Sequence, residues 1–283
     1  MPRTIREFHR ASTSARALEL LGRVGTPTAA LVPGPRLPAP LFAHTEAVVD
    51  LRALALNNIR VEKDEIYLGA MMDLQSIVKS APLATMADGM LAQAAALSAH
   101  FGLRNLATLA GAIDGATDGA TDGATDGAMD HQAGPPEILL ALLAMGAEVT
   151  TLAHGDRRTR LAGYRPATGD ALCEIILASS TPLRGALARV ARSPLDQAIV
   201  AVAAAVTSTR ARVAVAGASP APFVVEAPTR TEPDATVTEL VNAVAMHVAP
   251  QGDYRGSASY RRAMAEVLAR RALTQLFSNG AIS

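Results

Sequence analysis

Leu103-Arg104-Asn105-Leu106-Ala107-Thr108-Leu109-Ala110-Gly111-Ala112-Ile113 runs without a break into residues 114–130, DGATDGATDGATDGAMD. An apolar, alanine-rich turn with one glycine thus opens onto Asp114, Asp118, Asp122, Asp126 and Asp130 at four-residue spacing. A helix over the repeat would stack like charges at i and i+4 and be broken by glycine throughout, so an extended or disordered loop is expected from Asp114 to Asp130. Calcium loops use tighter aspartate spacing closed by a bidentate glutamate, or a nine-residue glycine-rich repeat. Neither is present, and repeat expansion in a tolerant loop is the better reading.

Outward from that stretch the chain alternates helix and strand signals. Upstream, Met86 to Leu97 and Asp73 to Lys79 read as helices, and Ile59, Val61, Ile66 and Leu68 form a hairpin around Glu62 to Glu65. Earlier still, the apolar stripe of Ala17, Leu18 and Leu21 ends at Gly22. Short strands are expected at Ala29 to Val32 and Ala47 to Leu51, with Pro33, Pro35, Pro38 and Pro40 crowding the loop between them. Downstream, Ile138 to Met145 reads as a buried helix and Glu148 to Leu152 as a strand. Leu172 to Leu177, Ala198 to Val206 and Arg212 to Ala216 read as strands of a meander. Two helices close the chain, one with Val237, Leu240, Val241, Val244 and Val248 on its apolar face, the other with Tyr260, Met264, Val267, Leu268 and Leu276. The expected class is α+β, in three parts: 1–57, 58–167 and 168–283.

Composition narrows the function. Of 283 residues, 49% are hydrophobic but only 3% aromatic, with no tryptophan, which argues against a surface for stacking bases or sugars. The 26 basic residues balance the 26 acidic ones, so no net field recruits nucleic acid or anionic membrane. The single cysteine, Cys173, excludes a disulfide framework or a cysteine-ligated cluster built within the chain, in keeping with a reducing cytoplasm. The start MPRTIREFHRAS has no apolar stretch of signal-peptide length, and the longest apolar runs are too short to span a bilayer, so a cytoplasmic protein is expected. The six histidines show no metal-site spacing, and no serine lies in a nucleophile-elbow context.

Taken in order, the motifs resemble the flavin (FAD-binding, medium) subunit of the molybdenum hydroxylases, of the aerobic carbon monoxide dehydrogenase and xanthine dehydrogenase type. Phe8-His9-Arg10 and the helix after it resemble the family's opening pattern, Val48-Val49-Asp50-Leu51 its "lvDl", and Ile66-Tyr67-Leu68-Gly69-Ala70 its "l.IGA". Residues 103–113 line up with "IRNmGTiGGNI", and Leu139 to Val149 with "paLlALgAeV". Ser257-Ala258-Ser259-Tyr260-Arg261-Arg262 and Leu268-Ala269-Arg270-Arg271-Ala272-Leu273 resemble "saeYRr.la.vLarRAl". The resemblance implies the flavin-subunit (PCMH-type) fold, with two N-terminal α/β subdomains and a C-terminal antiparallel sheet plus helices.

It also implies a role and a site. The role is that of an accessory redox subunit, passing electrons from iron-sulfur clusters through FAD to an external acceptor. Its partners would be a large molybdenum-cofactor subunit and a small 2Fe-2S subunit, with no nucleic acid. The alternative is a non-enzymatic assembly subunit that has lost FAD. In the family two glycine-rich loops cradle the FAD pyrophosphate, because backbone amides approach an anion closely only where side chains are missing. The first, "AGGt.L", corresponds here to Val32, Pro33, Gly34, Pro35 and Arg36, where the prolines have no N–H; the Arg36 guanidinium is a candidate substitute anion ligand, with a solvent-facing arginine on a proline-rich loop the better reading. The second, "GTiGGN", falls on residues 107–112, with Thr108, Ala110 and Gly111 as the site residues. The family's acidic position falls on Glu137, and the lysine often placed near the flavin ring has no counterpart between Ala188 and Arg192. No catalytic residue and no metal ligand is assigned.

Overall fold

The computed structural model describes residues 5–34, 45–117, 137–179, 182–194 and 196–278. Among the described residues the strands form three sheets. In the first, β1 (Glu7–Arg10) and β2 (Thr28–Ala30) both pair in parallel with β3 (Ala47–Asp50), and α1 (Ser14–Leu21) makes the crossover. Thr13 caps that helix by accepting from the Arg16 amide, and Gly22 ends it. At the end of β3 the fully buried Asp50 carboxylate is gripped by the Arg52 guanidinium at 2.7–3.1 Å and by the Arg52 amide at 3.0 Å.

The second sheet is antiparallel, in the order β4 (Ile59–Glu62), β5 (Glu65–Gly69), β8 (Leu172–Ala178), β6 (Glu148–Thr151), β7 (Thr159–Arg160). The expected hairpin is its β4–β5 edge. The strand beginning at Leu172, expected among the strands of the third part, is a correction. It pairs with β5 and β6 because Ile175 and Leu177 point into the main core shared with Ile66 and Leu68.

Among the described residues, six α-helices lie between β5 and β6: α2 (Leu74–Lys79), α3 (Ala81–Ala84), α4 (Met90–Ser98), α5 (Phe101–Arg104), α6 (Leu109–Thr117) and α7 (Glu137–Met145). The expected single helix from Met86 is interrupted, since Ala87, Asp88 and Gly89 all take positive φ and α4 starts only at Met90. Asp88 Oδ2 offsets that strained turn by accepting from Arg184 Nε and the Gly185 amide. Arg104, of the quoted stretch, donates to Gln75 Oε1 and to the Ala96 and Ala99 carbonyls, so it closes the C-terminal end of α4. The expected loop at Asp114 is also corrected. α6 continues through Asp114 to Thr117, held by the buried Ile113 and by a 3.2 Å bond from Tyr164 Oη to Asp114 Oδ1. The rest of the repeat lies outside the described residues.

The third sheet is the antiparallel meander β9 (Arg184–Val190), β10 (Val200–Val206), β11 (Arg210–Ala216) and β12 (Phe223–Pro228). β10 is buried along its whole length, on both faces. Ala201, Ala203 and Ala205 join the core containing α7, whereas Val200, Val202, Ala204 and Val206 join α8 (Pro233–His247) and α9 (Ala258–Ser278). Methyl-sized side chains on one face let a helix lie close, and branched ones on the other fill the space between strand and helix pair. The buried stripe of α9 differs from the expected one. Ala265, Leu268, Ala269, Ala272, Leu273 and Leu276 face inward, while Val267 and Tyr260 are exposed. No helix among the described residues is long and apolar enough to cross a membrane.

Candidate functional site

The structure brings the two expected loops together. After β2, Leu31 still pairs with β3 through a 2.8 Å bond from its amide to the Val49 carbonyl, and the chain then crosses over the start of α6. The Pro33 carbonyl accepts from the Thr108 amide at 2.7 Å and from Thr108 Oγ1 at 3.2 Å. Gly111 sits against the same carbonyl, so closely that a Cβ there would run into the Pro33 oxygen. A Cβ on Gly34 would stand 3.0 Å from the Gly111 carbonyl oxygen. Both glycines are therefore required by one backbone crossing.

Thr108 is the N-cap of α6. Its hydroxyl accepts from the Gly111 amide three residues on, at 3.1 Å, and donates to Pro33. The neighbouring amides are also engaged: Ala107 bonds the Leu103 carbonyl, Leu109 that of Met72, Ala110 that of Ala70, and Ala112 that of Thr108, all at 2.8–3.0 Å. Ala107, Ala110 and Ala112 stand where the expected pattern has Gly, Gly and Asn. Their methyl groups are fully buried members of the main core.

Glu137 begins α7, where a carboxylate suits the positive end of the helix dipole. It is buried, and its Oε1 lies 3.0 Å from Arg189 Nε on β9, an ionic contact rather than an aligned hydrogen bond. Arg189 also donates to the Pro194 carbonyl at 3.0 Å and to that of Asp196. The sequence reading had no role for Arg189, although it lies in the stretch searched for a lysine. The signal that was there is an arginine set in an apolar stretch of strand, beside Leu187 and Ala188. Of the remaining expected residues, Val32 is buried and Pro33 exposed, whereas Pro35 and Arg36 lie outside the described residues.

As a pyrophosphate cradle the second loop does not fit. Anion binding of that kind needs amides free to turn toward phosphate oxygens, and every amide from 107 to 112 already has a partner inside the chain. Glu137 faces a cation of the same chain. Residues 107–112 keep the crossing on which such a cradle is built, with every amide already engaged.

A second polar cluster went unread in the sequence. Asp253 Oδ2 accepts from Arg261 Nη2 at 2.6 Å and lies 3.3 Å from Arg255 Nε, while Oδ1 accepts from the Arg255 and Gly256 amides at 2.8 and 3.0 Å. Arg261 Nη1 reaches on to the Ile199 and Gly217 carbonyls at 2.7 and 2.9 Å, pinning the start of α9 to the ends of β10 and β11. All three charged side chains are buried. Burial raises the Asp253 pKa, but the Arg261 hydrogen bond and the two amides outweigh it and hold the carboxyl at about 2. A surface groove between α8 and α9, lined by Val241, Glu266, Val267, Arg270 and Arg271, gathers no such cluster.

Residues 3–178 match the model of the FAD binding domain in molybdopterin dehydrogenase, and residues 186–276 that of the CO dehydrogenase flavoprotein C-terminal domain. Among solved structures the chain is similar to one from the Cu,Mo-CO dehydrogenase in its cyanide-inactivated form, with a TM-score of 0.80 and 21% identity over 99% of this chain and 100% of that one. Carbon monoxide dehydrogenase from Hydrogenophaga pseudoflava lacking the Mo-pyranopterin moiety gives 0.78 and 22% over 99% and 100%. Quinoline 2-oxidoreductase from Pseudomonas putida 86 gives 0.77 and 17% over the full length of both chains. At these identities the likeness is one of fold. No curated protein matches the chain by sequence.

Proposed function

This chain belongs to the family of FAD-binding domains of molybdopterin dehydrogenases, and we propose on that premise that it is an accessory redox subunit of a molybdenum-hydroxylase-type complex. The observation that carries the reading is the succession of two family matches, 3–178 and 186–276, along nearly the whole chain. Its partners would be a large molybdenum-cofactor subunit and a small 2Fe-2S subunit. FAD is the cofactor of the family, and the electron route from iron-sulfur clusters through FAD to an external acceptor is the family's assignment. No step of that route is placed on residues 107–112 or Glu137, whose polar groups are engaged within the chain.

What the chain's own residues do is hold a body of defined shape. The alanine face of β10 seats the third sheet on α7, and Asp253 with Arg261 pins the closing helix pair. We carry the three-part division forward with its last boundary moved past Ala178, so that β8 stays with its sheet. The second reading, an assembly subunit without FAD, is favoured by the buried methyls of Ala107, Ala110 and Ala112. Purifying the native complex and recording its visible spectrum separates the two. Flavin and iron-sulfur bands together support the redox reading, iron-sulfur bands alone support the assembly reading, and a chain that brings down no such partner sinks both.

A further inference from the structure

We propose that the crossing of residues 33–34 with residues 107–112 is a closed clasp standing in place of a pyrophosphate cradle, so that this chain reaches its full fold without FAD. The inference deepens the second reading, an accessory assembly subunit without FAD, and rests on it. Three observations carry it, and they are independent in chemistry.

The first is the donor account. Six consecutive amides, from Ala107 to Ala112, bond to the Leu103, Pro33, Met72 and Ala70 carbonyls, to Thr108 Oγ1 and to the Thr108 carbonyl. A phosphate could take one only by stripping it from its acceptor, and at Leu109 and Ala110 the acceptors belong to the buried Met72 and Ala70, whose carbonyls would be left unsatisfied. Thr108, the hydroxyl a phosphate would use, is already spent at both ends, accepting from Gly111 and donating to Pro33.

The second is volume. The methyls of Ala107, Ala110 and Ala112 are packed in the core, so the backbone cannot slide to re-aim its amides without opening a cavity. The third is charge. Glu137 and Arg189 neutralise one another, and turning the carboxylate toward a ligand would leave the guanidinium with only the Pro194 and Asp196 carbonyls and no counter-charge. On residues 107–112 and at Glu137, the groups that would address the cofactor are instead engaged within the chain.

A ligand that binds only the native state stabilises it by RT ln(1 + [L]/Kd). A cradle with a micromolar Kd would therefore gain ~4.1 kcal/mol at millimolar FAD, a rise in melting temperature of roughly 10 °C. The test is thermal melting of the full chain, made under riboflavin limitation, with and without 1 mM FAD. The clasp predicts a cooperative transition without FAD and a rise of less than about 2 °C with it. A rise near 10 °C, or stoichiometric flavin bands on the chain as isolated, would overturn it.

Thr108→Val supplies a second measurement. A clasp residue lowers the melting temperature equally with and without FAD, whereas a phosphate ligand lowers it only when FAD is present, and that second pattern also overturns the inference. Capture of a large molybdenum-cofactor partner and a 2Fe-2S partner by the tagged chain tests the accessory-subunit reading separately. Failure there sinks that reading while the melting data still decide the clasp.

Discussion

At the crossing of residues 33–34 with 107–112, six backbone amides and one hydroxyl close on one another. At the corner of residues 253–261 the same closure is made by one carboxylate and two guanidiniums, all buried. The string at the corner, Tyr260-Arg261-Arg262, follows the pattern it resembles, while that at the crossing departs from it at three of six positions. The difference has a physical basis. Arg261 answers to partners inside the chain, the Asp253 carboxylate and the Ile199 and Gly217 carbonyls, and no other side chain offers that reach and that fork of donors. A glycine facing a ligand answers only to the ligand, and where the chain satisfies its own amides a methyl group fits as well.

The comparison breaks most easily at the corner. Asp253→Ala leaves two buried guanidiniums without a counter-charge and should lower stability by about 4 kcal/mol, read as a drop in the urea midpoint. A loss below about 1 kcal/mol would mean that water reaches Arg261 and the corner is not closed. The same corner should govern the acid limit. Asp253 and Asp50, the latter held down chiefly by its hydrogen bonds to Arg52, are both lowered from an ordinary 3.8 to about 2. Their contribution is full above pH 3.8 and is lost as pH falls through about 2, so the wild type should lose stability between about pH 4 and pH 2. Asp253→Asn should flatten that slope without shifting its upper end.

At the crossing, Gly111→Val pushes a branched side chain against the Pro33 carbonyl and should cost about 3 kcal/mol, with FAD present or absent. Destabilisation that FAD rescued would show the crossing to be a ligand site after all. Thr108→Val removes a helix cap and one bridge, a loss of about 1 kcal/mol in the same denaturation measurement. Deleting two TDGA units comes last. It shortens a connection by eight residues and should change stability by less than roughly 0.6 kcal/mol, because closure entropy varies only with the logarithm of loop length. Collapse of the fold, or a calcium-dependent rise in melting temperature of the intact chain, would make the repeat an ordered element.

Much of the fold was legible because its signals are local. The β4–β5 hairpin, the Asp73-capped α2, the wholly buried α7, the β10–β11 pair and the closing helix pair all follow from periodicity, caps and turn residues, whereas β9 and β12 were not read. What the periodicity misjudged turns on neighbours distant in sequence. Leu172 to Leu177 reads as a strand of the third part and joins the second sheet only because β5 and β6 await it. Val267 looks inward on a helical wheel, yet the valine face of β10 is met by alanines two positions away on either side, Ala265 and Ala269, which let α9 approach.

The candidate site divides in the same way. By itself the sequence determined that glycines were missing, that Gly34, Thr108 and Gly111 remained, and that Glu137 was the acid available, since these are matters of residue type at a position. Only the tertiary structure decided what the survivors do. Gly34 and Gly111 keep two backbones in contact, Thr108 caps a helix and ties it to Pro33, and Glu137 meets Arg189 across 52 residues of chain. A hydrogen-bond donor is available to a ligand only if nothing in the fold has claimed it, and the claimants here, the carbonyls of Pro33, Ala70 and Met72, are brought to residues 107–112 by packing that no local pattern encodes.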